Sequence, residues 1–139
     1  MSKDRRLKYP DTKWFTYDNV NPKNRITSDC IVRAICHATE SDYAETAMRI
    51  SNLAIDLAIG MCDKQIVDKY LKRYYQSHKN NQIRKPDNTK LTGKEFCEMF
   101  PKGKFVISIG GHHFSCVIDG KIHDIWDCSD KTVGNYWEI

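Results

Sequence analysis

Residues 105–126 read Phe105-Val106-Ile107-Ser108-Ile109-Gly110-Gly111-His112-His113-Phe114-Ser115-Cys116-Val117-Ile118-Asp119-Gly120-Lys121-Ile122-His123-Asp124-Ile125-Trp126. Three short runs rich in β-branched and aromatic residues, 105–109, 113–118 and 122–126, are separated by Gly110-Gly111 and by Asp119-Gly120. Such runs, bounded by glycine, read as strands, and Asp-Gly between two of them is a strong hairpin signal. Residues 133–139, with Tyr136 and Trp137, add a fourth expected strand.

Upstream of Gly103 the pattern has helical period. A first helix is expected over Cys30–Thr39, preceded by the capping residues Thr27, Ser28 and Asp29. Glu40-Ser41-Asp42 interrupts it, and a second helix begins near Ser41, carries Tyr43, Ala47, Met48, Ile50, Ala54, Ile55 and Leu57, and stops at Gly60. A third is expected over 63–76. After a polar connection at 77–90, a short fourth helix over 92–100 starts with a capping box, Thr92 and Glu95, and ends at Pro101. Residues 1–12 are polar and expected to be loose, 13–17 extended, and 19–24 a loop around Pro22. Helices first and antiparallel strands second define an α+β class, with 1–139 as one domain.

Composition narrows the function. The 139 residues carry 22 basic and 18 acidic side chains, a net charge of +4, and the two signs are mixed along the chain. That excess is too small to demand a nucleic-acid partner. No run approaches the roughly 18 apolar residues that span a bilayer, and the charged first ten residues contain no apolar signal core. A cytoplasmic protein without a membrane partner is therefore expected. The six cysteines, Cys30, Cys36, Cys62, Cys97, Cys116 and Cys128, show no zinc-ligand spacing and no disulfide framework. Reduced thiols suit the cytosol, and no metal or cofactor is expected.

One thiol stands apart. Cys30 falls in the first turn of its helix, where the macrodipole favours the thiolate and lowers the pKa. A cysteine nucleophile needs a base, and the base must be oriented by a third group. The late hairpin offers both: His113 opens its first arm and Asp127 follows its second. If Asp119, Gly120 and Lys121 form a three-residue loop, His113 faces Asp127. A two-residue loop instead sets His113 opposite Trp126 and His112 opposite Asp127, because a one-residue slip exchanges the faces. His112 thus stays open as the base. Asp124, placed mid-strand, is read as a structural hydrogen-bonding group. For a developing oxyanion the backbone N–H of Cys30 is one donor. Asn24, six residues upstream, can curl back to supply a second, with Asn21 and Thr27 as alternatives.

Together, Asp29-Cys30 opening a helix, Gly111-His112-His113 opening a late strand and Asp127 after the next strand resemble a papain-like cysteine peptidase, in the order Cys, His, Asp. More narrowly, Asp29-Cys30, His113 and Asp127 resemble the compact peptidase domains that clip double-glycine leaders from bacteriocins. Asp29-Cys30-Ile31-Val32-Arg33-Ala34-Ile35 with His113, Asp119-Gly120 and Asp124-Ile125-Trp126-Asp127 is similar to small papain-like proteins of bacteria and their phages. The resemblance covers residues 15 to 139. It implies Cys30 as nucleophile, His113 as base and then acid, Asp127 as the group orienting the imidazole, and Asn24 in the oxyanion hole. The chain departs from the wider pattern in carrying Asn24 where glutamine is usual and Ile31 where glycine often follows the cysteine.

The implied activity is thiol hydrolysis of a peptide or isopeptide bond in a protein or peptide substrate. The same constellation also serves deamidation or acyl transfer. A third class is a binding or inhibitor protein that uses the fold without catalysis. Its best feature is the stretch from Lys64 to Lys85, where Lys69, Lys72, Arg73, Lys79, Arg84 and Lys85 accompany Tyr70, Tyr74 and Tyr75.

Overall fold

The computed structural model describes residues 5–139 and is a mixed α+β fold. Its elements are α1 (Arg5–Lys8), β1 (Phe15–Tyr17), α2 (Cys30–Thr39), α3 (Tyr43–Leu57), α4 (Gln65–Tyr75), α5 (Gly93–Met99), β2 (Lys104–Ile109), β3 (His113–Ile118), β4 (Lys121–Asp124) and β5 (Val133–Glu138). Within the segment expected to be loose, residues 1–4 lie outside the described residues. The remainder forms α1 and is anchored, since Arg5 Nε donates to the Ile125 carbonyl at 3.0 Å.

Local chemistry accounts for most helix boundaries. Asp42 caps α3 by accepting from the Glu45 N–H at 2.9 Å. At α5, Thr92 and Glu95 satisfy each other's backbone N–H groups in a capping box. The helices α2, α3 and α4 each end on a non-glycine residue in the left-handed region, Glu40, Ala58 and Gln76. Such a residue redirects the chain and lets its N–H return to the last turn.

The five strands form one sheet in the order β1-β4-β3-β2-β5. It is mixed rather than wholly antiparallel: β1 runs parallel to β4, pairing Phe15 with Ile122 and Tyr17 with Asp124. Hairpin geometry cannot announce such a pair, because its strands are more than a hundred residues apart. The β3–β4 turn holds Asp119 at φ 47° and Gly120 at φ 75°. Both are left-handed, as a two-residue type I′ turn requires. At Gly120 a Cβ would also stand 3.2 Å from the Cys97 carbonyl oxygen and from Pro101 Cα. Ile118 therefore pairs with Lys121 and Val117 with Ile122. Carried onward, this register sets Ser115 opposite Asp124. The three-residue loop that would have faced His113 with Asp127 does not form. β4 ends at Asp124, whose carboxylate takes the Ile125 N–H at 2.7 Å and turns the chain off the ladder.

Both faces of the sheet are covered. On one, Val106, Phe114, Cys116 and Trp137 pack with Ile31 and Ile35 of α2, Ile50 and Leu53 of α3, and Ile66, Val67 and Leu71 of α4. On the other, Phe105, Ile107, Val117 and Ile122 pack with Phe15 and with Phe96 and Cys97 of α5. Tyr70, set among the basic residues of α4, is wholly buried in the first of these cores, so it presents no face on which a base could stack. No helix among the described residues is long and apolar enough to cross a membrane.

Candidate active site

Cys30 is the first helical residue of α2 and is partly exposed. Asp29 occupies the N-cap position, yet its side chain does not cap the helix. Its carboxylate instead accepts from Arg33 Nε at 2.7 Å, the Tyr43 hydroxyl at 2.8 Å and Asn21 Nδ2 at 3.0 Å. The first-turn N–H groups beside Cys30 thus receive no bond from the Asp29 side chain. Such orphan donors, at the positive end of the dipole, suit a developing negative charge.

His113 opens β3, and its imidazole shares one cleft with the Cys30 thiol and is electrostatically coupled to it. Its Nε2 lies 2.6 Å from Asp124 Oδ2 on the neighbouring strand, which leaves Nδ1 as the ring nitrogen for sulfur. Trp126 meets the ring edge-on at a centroid distance of 5.0 Å. Alternation puts His113 and Ser115 on one face of β3, and the two-residue turn brings Asp124 to that face.

Asp124 is 1 % exposed and carries four hydrogen bonds. Oδ2 accepts from His113 and from the Ser115 hydroxyl at 2.6 Å, while Oδ1 accepts from Arg33 Nη1 at 2.9 Å and from the Ile125 N–H. Arg33, 4 % exposed, therefore bridges Asp29 on its own helix and Asp124 on the hairpin. Five ionisable groups run in a chain: thiol, imidazole, carboxylate, guanidinium, carboxylate.

The electrostatics follow this order. Burial alone would raise the Cys30 thiol, but the imidazole, the Phe114 backbone N–H and the Arg33 charge outweigh it and bring its pKa down. Burial likewise works against a charged His113, yet the Asp124 hydrogen bond and the Cys30 sulfur prevail and raise its pKa to about 9. For Asp124, desolvation is overcome by His113, Ser115 and Arg33, and its pKa falls. Both shifts run in the direction that favours a thiolate–imidazolium pair. Among the other cysteines, burial drives Cys36, Cys97, Cys116 and Cys128 the opposite way, with Cys97 pushed up to about 12.

His113, Asp124 and Cys128 offer three ligand atoms within 4.8 Å of one another. As a metal centre the set fits poorly. Asp124's oxygens are already engaged by four donors, and the buried Cys128 thiol is held strongly in its protonated form, whereas metals take thiolates. Cys128 reads instead as packing beneath the hairpin.

Two expected site residues sit elsewhere. Asp127 Oδ1 accepts the Ser129 N–H at 3.0 Å, an Asx turn, and the imidazole nitrogen that was to meet it is held by Asp124. Asn24 is exposed at φ 55°, closes a turn through its N–H to the Asn21 carbonyl at 2.9 Å, and accepts weakly from Asn19. It does not line the cleft around Cys30. Asn21 is buried instead, with Oδ1 on the Lys23 and Arg25 N–H groups and Nδ2 on Asp29. His112 is exposed at the cleft rim. The contacts of Asp124 with His113 and of Arg33 with both carboxylates each left a signal in the sequence. The Asp-Gly preference for two-residue turns selects Asp124, and Asp29 with Arg33 is an i,i+4 pair.

Cys30, His112, His113 and Phe114 line a cleft of about 780 Å³, closed on its far side by Tyr43 and Ala47 of α3 and by residues 61–64. Compared with known proteins, the chain matches no family model, no curated protein and no solved structure.

Proposed function

We propose that this chain is a papain-like thiol hydrolase that cleaves a peptide or isopeptide bond, with Cys30, His113 and Asp124 as its triad. The observation that carries the reading is the bracketing of one imidazole by a partly exposed thiol at a helix start and a buried carboxylate, beside an open cleft. The order, a helix-borne thiol followed by a late hairpin bearing the base, is the one the papain-like resemblance implies. Asp124 takes the orienting role expected of Asp127.

In the reaction, the Cys30 thiolate adds to the scissile carbonyl, and the oxyanion is received by N–H groups of the first turn of α2. His113, protonated at Nδ1, delivers that proton to the leaving amine as the C–N bond breaks, leaving a thioester on Cys30. Neutral His113 then takes a proton from water, hydroxide adds to the thioester, and collapse releases the carboxylic acid and restores the thiolate and imidazolium. Asp124 keeps Nε2–H oriented throughout.

The test uses iodoacetamide at pH 6 with peptide mapping of all six cysteines. Cys30 is expected to react at least tenfold faster than the exposed Cys62, and His113→Ala abolishes the difference. Cleavage of a diverse peptide mixture, lost in Cys30→Ser, then establishes hydrolysis. Equal alkylation of Cys30 and Cys62 in the wild type overturns the proposal, and ammonia release without chain cleavage assigns the site to deamidation.

A further inference from the structure

A second groove, of about 490 Å³, adjoins the Cys30 cleft and shares with it Lys64, Gly111 and Phe114. Four lysines line it, Lys64, Lys69, Lys79 and Lys90, with a single acidic residue, Asp68. That carboxylate is already engaged, accepting from Trp137 Nε1 at 3.0 Å and pairing with Lys72 at 3.2 Å. Among the described residues, none of the four lysines forms an ion pair, whereas Lys72, Lys85 and Lys104 all do. Like charges gathered on one concave surface repel each other and raise the local concentration of anions.

The floor is shaped for a polypeptide backbone. Gly110 and Gly111 take φ 60° and 82°, and nothing stands within 4 Å of where their Cβ atoms would be. The β2–β5 pairing slips between Ile107 and Ile109, and Ser108 fills the slip by donating to the Asn135 carbonyl at 3.2 Å. At Gly134 a Cβ would stand 2.6 Å from that hydroxyl, so the strand is kept bare there. A nucleic acid fits less well. Among the described residues, the aromatic side chains lining the groove are Phe114 and Trp137, 7 % and 2 % exposed, and the exposed Tyr74 of α4 does not line it. Bases would find no platform on which to stack.

We propose that the lysine-lined groove binds an acidic segment of the substrate polypeptide, close in sequence to the bond presented to Cys30. The inference rests on the thiol-hydrolase reading and names its substrate class: chains with clustered aspartate or glutamate beside the scissile bond.

The test uses the full chain as Cys30→Ser and a fluorescein-labelled hexaglutamate peptide, followed by anisotropy at 50 and 300 mM salt. Binding is expected to weaken at the higher salt, to fall at least tenfold in Lys69→Glu/Lys79→Glu, to fall about threefold in Lys69→Gln/Lys79→Gln, and to stay unchanged in Lys102→Glu. Urea unfolding verifies that each variant is folded. In the wild type, saturating hexaglutamate is expected to slow iodoacetamide alkylation of Cys30 at least threefold. Binding that survives the charge reversal, tighter binding of a twelve-residue oligothymidylate, or binding that leaves the Cys30 rate unchanged overturns the proposal. Failure of the parent reading is read separately, as sluggish Cys30 alkylation without peptide.

Discussion

Replacing Asp124 by asparagine separates the role of this carboxylate from that of Asp127. The substitution keeps the volume but removes the charge that Arg33 and His113 share and puts an amide NH₂ where an acceptor stood. Breaking a buried ion pair from one side costs about 3–5 kcal/mol. Arg33 retains Asp29 at 2.7 Å, so the lower end, about 3 kcal/mol, is expected. The chemistry suffers independently. A thiol of ordinary pKa, about 8.5, is roughly 0.3 % thiolate at pH 6, which bounds the loss of reactive species at ~300-fold. Incomplete ion pairing and the lower intrinsic nucleophilicity of a stabilised thiolate reduce the expected loss to about 10–30-fold. Asp127→Asn, which can retain the acceptor for the Ser129 N–H, is expected to cost less than about 1 kcal/mol and to leave the thiol untouched. Urea denaturation and the pH-dependent alkylation of Cys30 measure both quantities. If Asp127→Asn slows alkylation while Asp124→Asn does not, the assignment of the orienting carboxylate is wrong.

Stability should fall with rising pH above neutrality. The folded pKa of His113, about 9, exceeds its ordinary 6.5, so its own contribution is complete below pH 6.5 and is lost as pH rises through 9; the lowered Cys30 thiol contributes in the opposite sense, so the net decline is smaller than the ~3 kcal/mol that His113 alone would give. Urea midpoints at pH 6.5, 8 and 9.5 should decline in the wild type and stay flat in His113→Gln; parallel profiles would refute the coupling. Ala58→Gly should raise stability by about 0.5–1 kcal/mol, or roughly 2–5 °C in Tm, because exposed Ala58 ends α3 at φ 54° and only glycine takes that conformation without strain. An unchanged Tm would mean that the α3 terminus holds no such strain.

How much of this was legible in the chain depends on the range of each interaction. α2 begins and ends at Cys30 and Thr39 as its helical period indicates, although the Asp29 side chain makes no cap bond, and β3 spans His113–Ile118 as its composition indicates. The capping box of Thr92 and Glu95 forms because both partners lie within one turn. Which carboxylate meets His113 hinges on one residue of register: a single added residue in the turn exchanges Asp124 for its neighbours on that face. Asn24 lies outside the cleft lining for a different reason. Its spacing from Cys30 is suitable, but the turn around Pro22 holds its backbone left-handed and sends the side chain toward Asn19. The parallel pairing of β1 with β4 and the burial of Arg33 between two carboxylates depend on contacts across 91 residues or more, beyond any local pattern.

Arg33 also ties the chemistry to the order in which the chain is made. Synthesis proceeds from the N-terminus, so Cys30 and the whole of α2 emerge long before His113 and Asp124 exist. Until the hairpin docks, the helix carries a guanidinium with one carboxylate partner and a thiol without a base. The full set of partners depends on a contact at a sequence separation of 91 residues, that of Arg33 with Asp124, which exists only once β4 has been made. A chain whose hairpin has not yet docked therefore holds the Cys30 thiol without the His113 imidazole beside it.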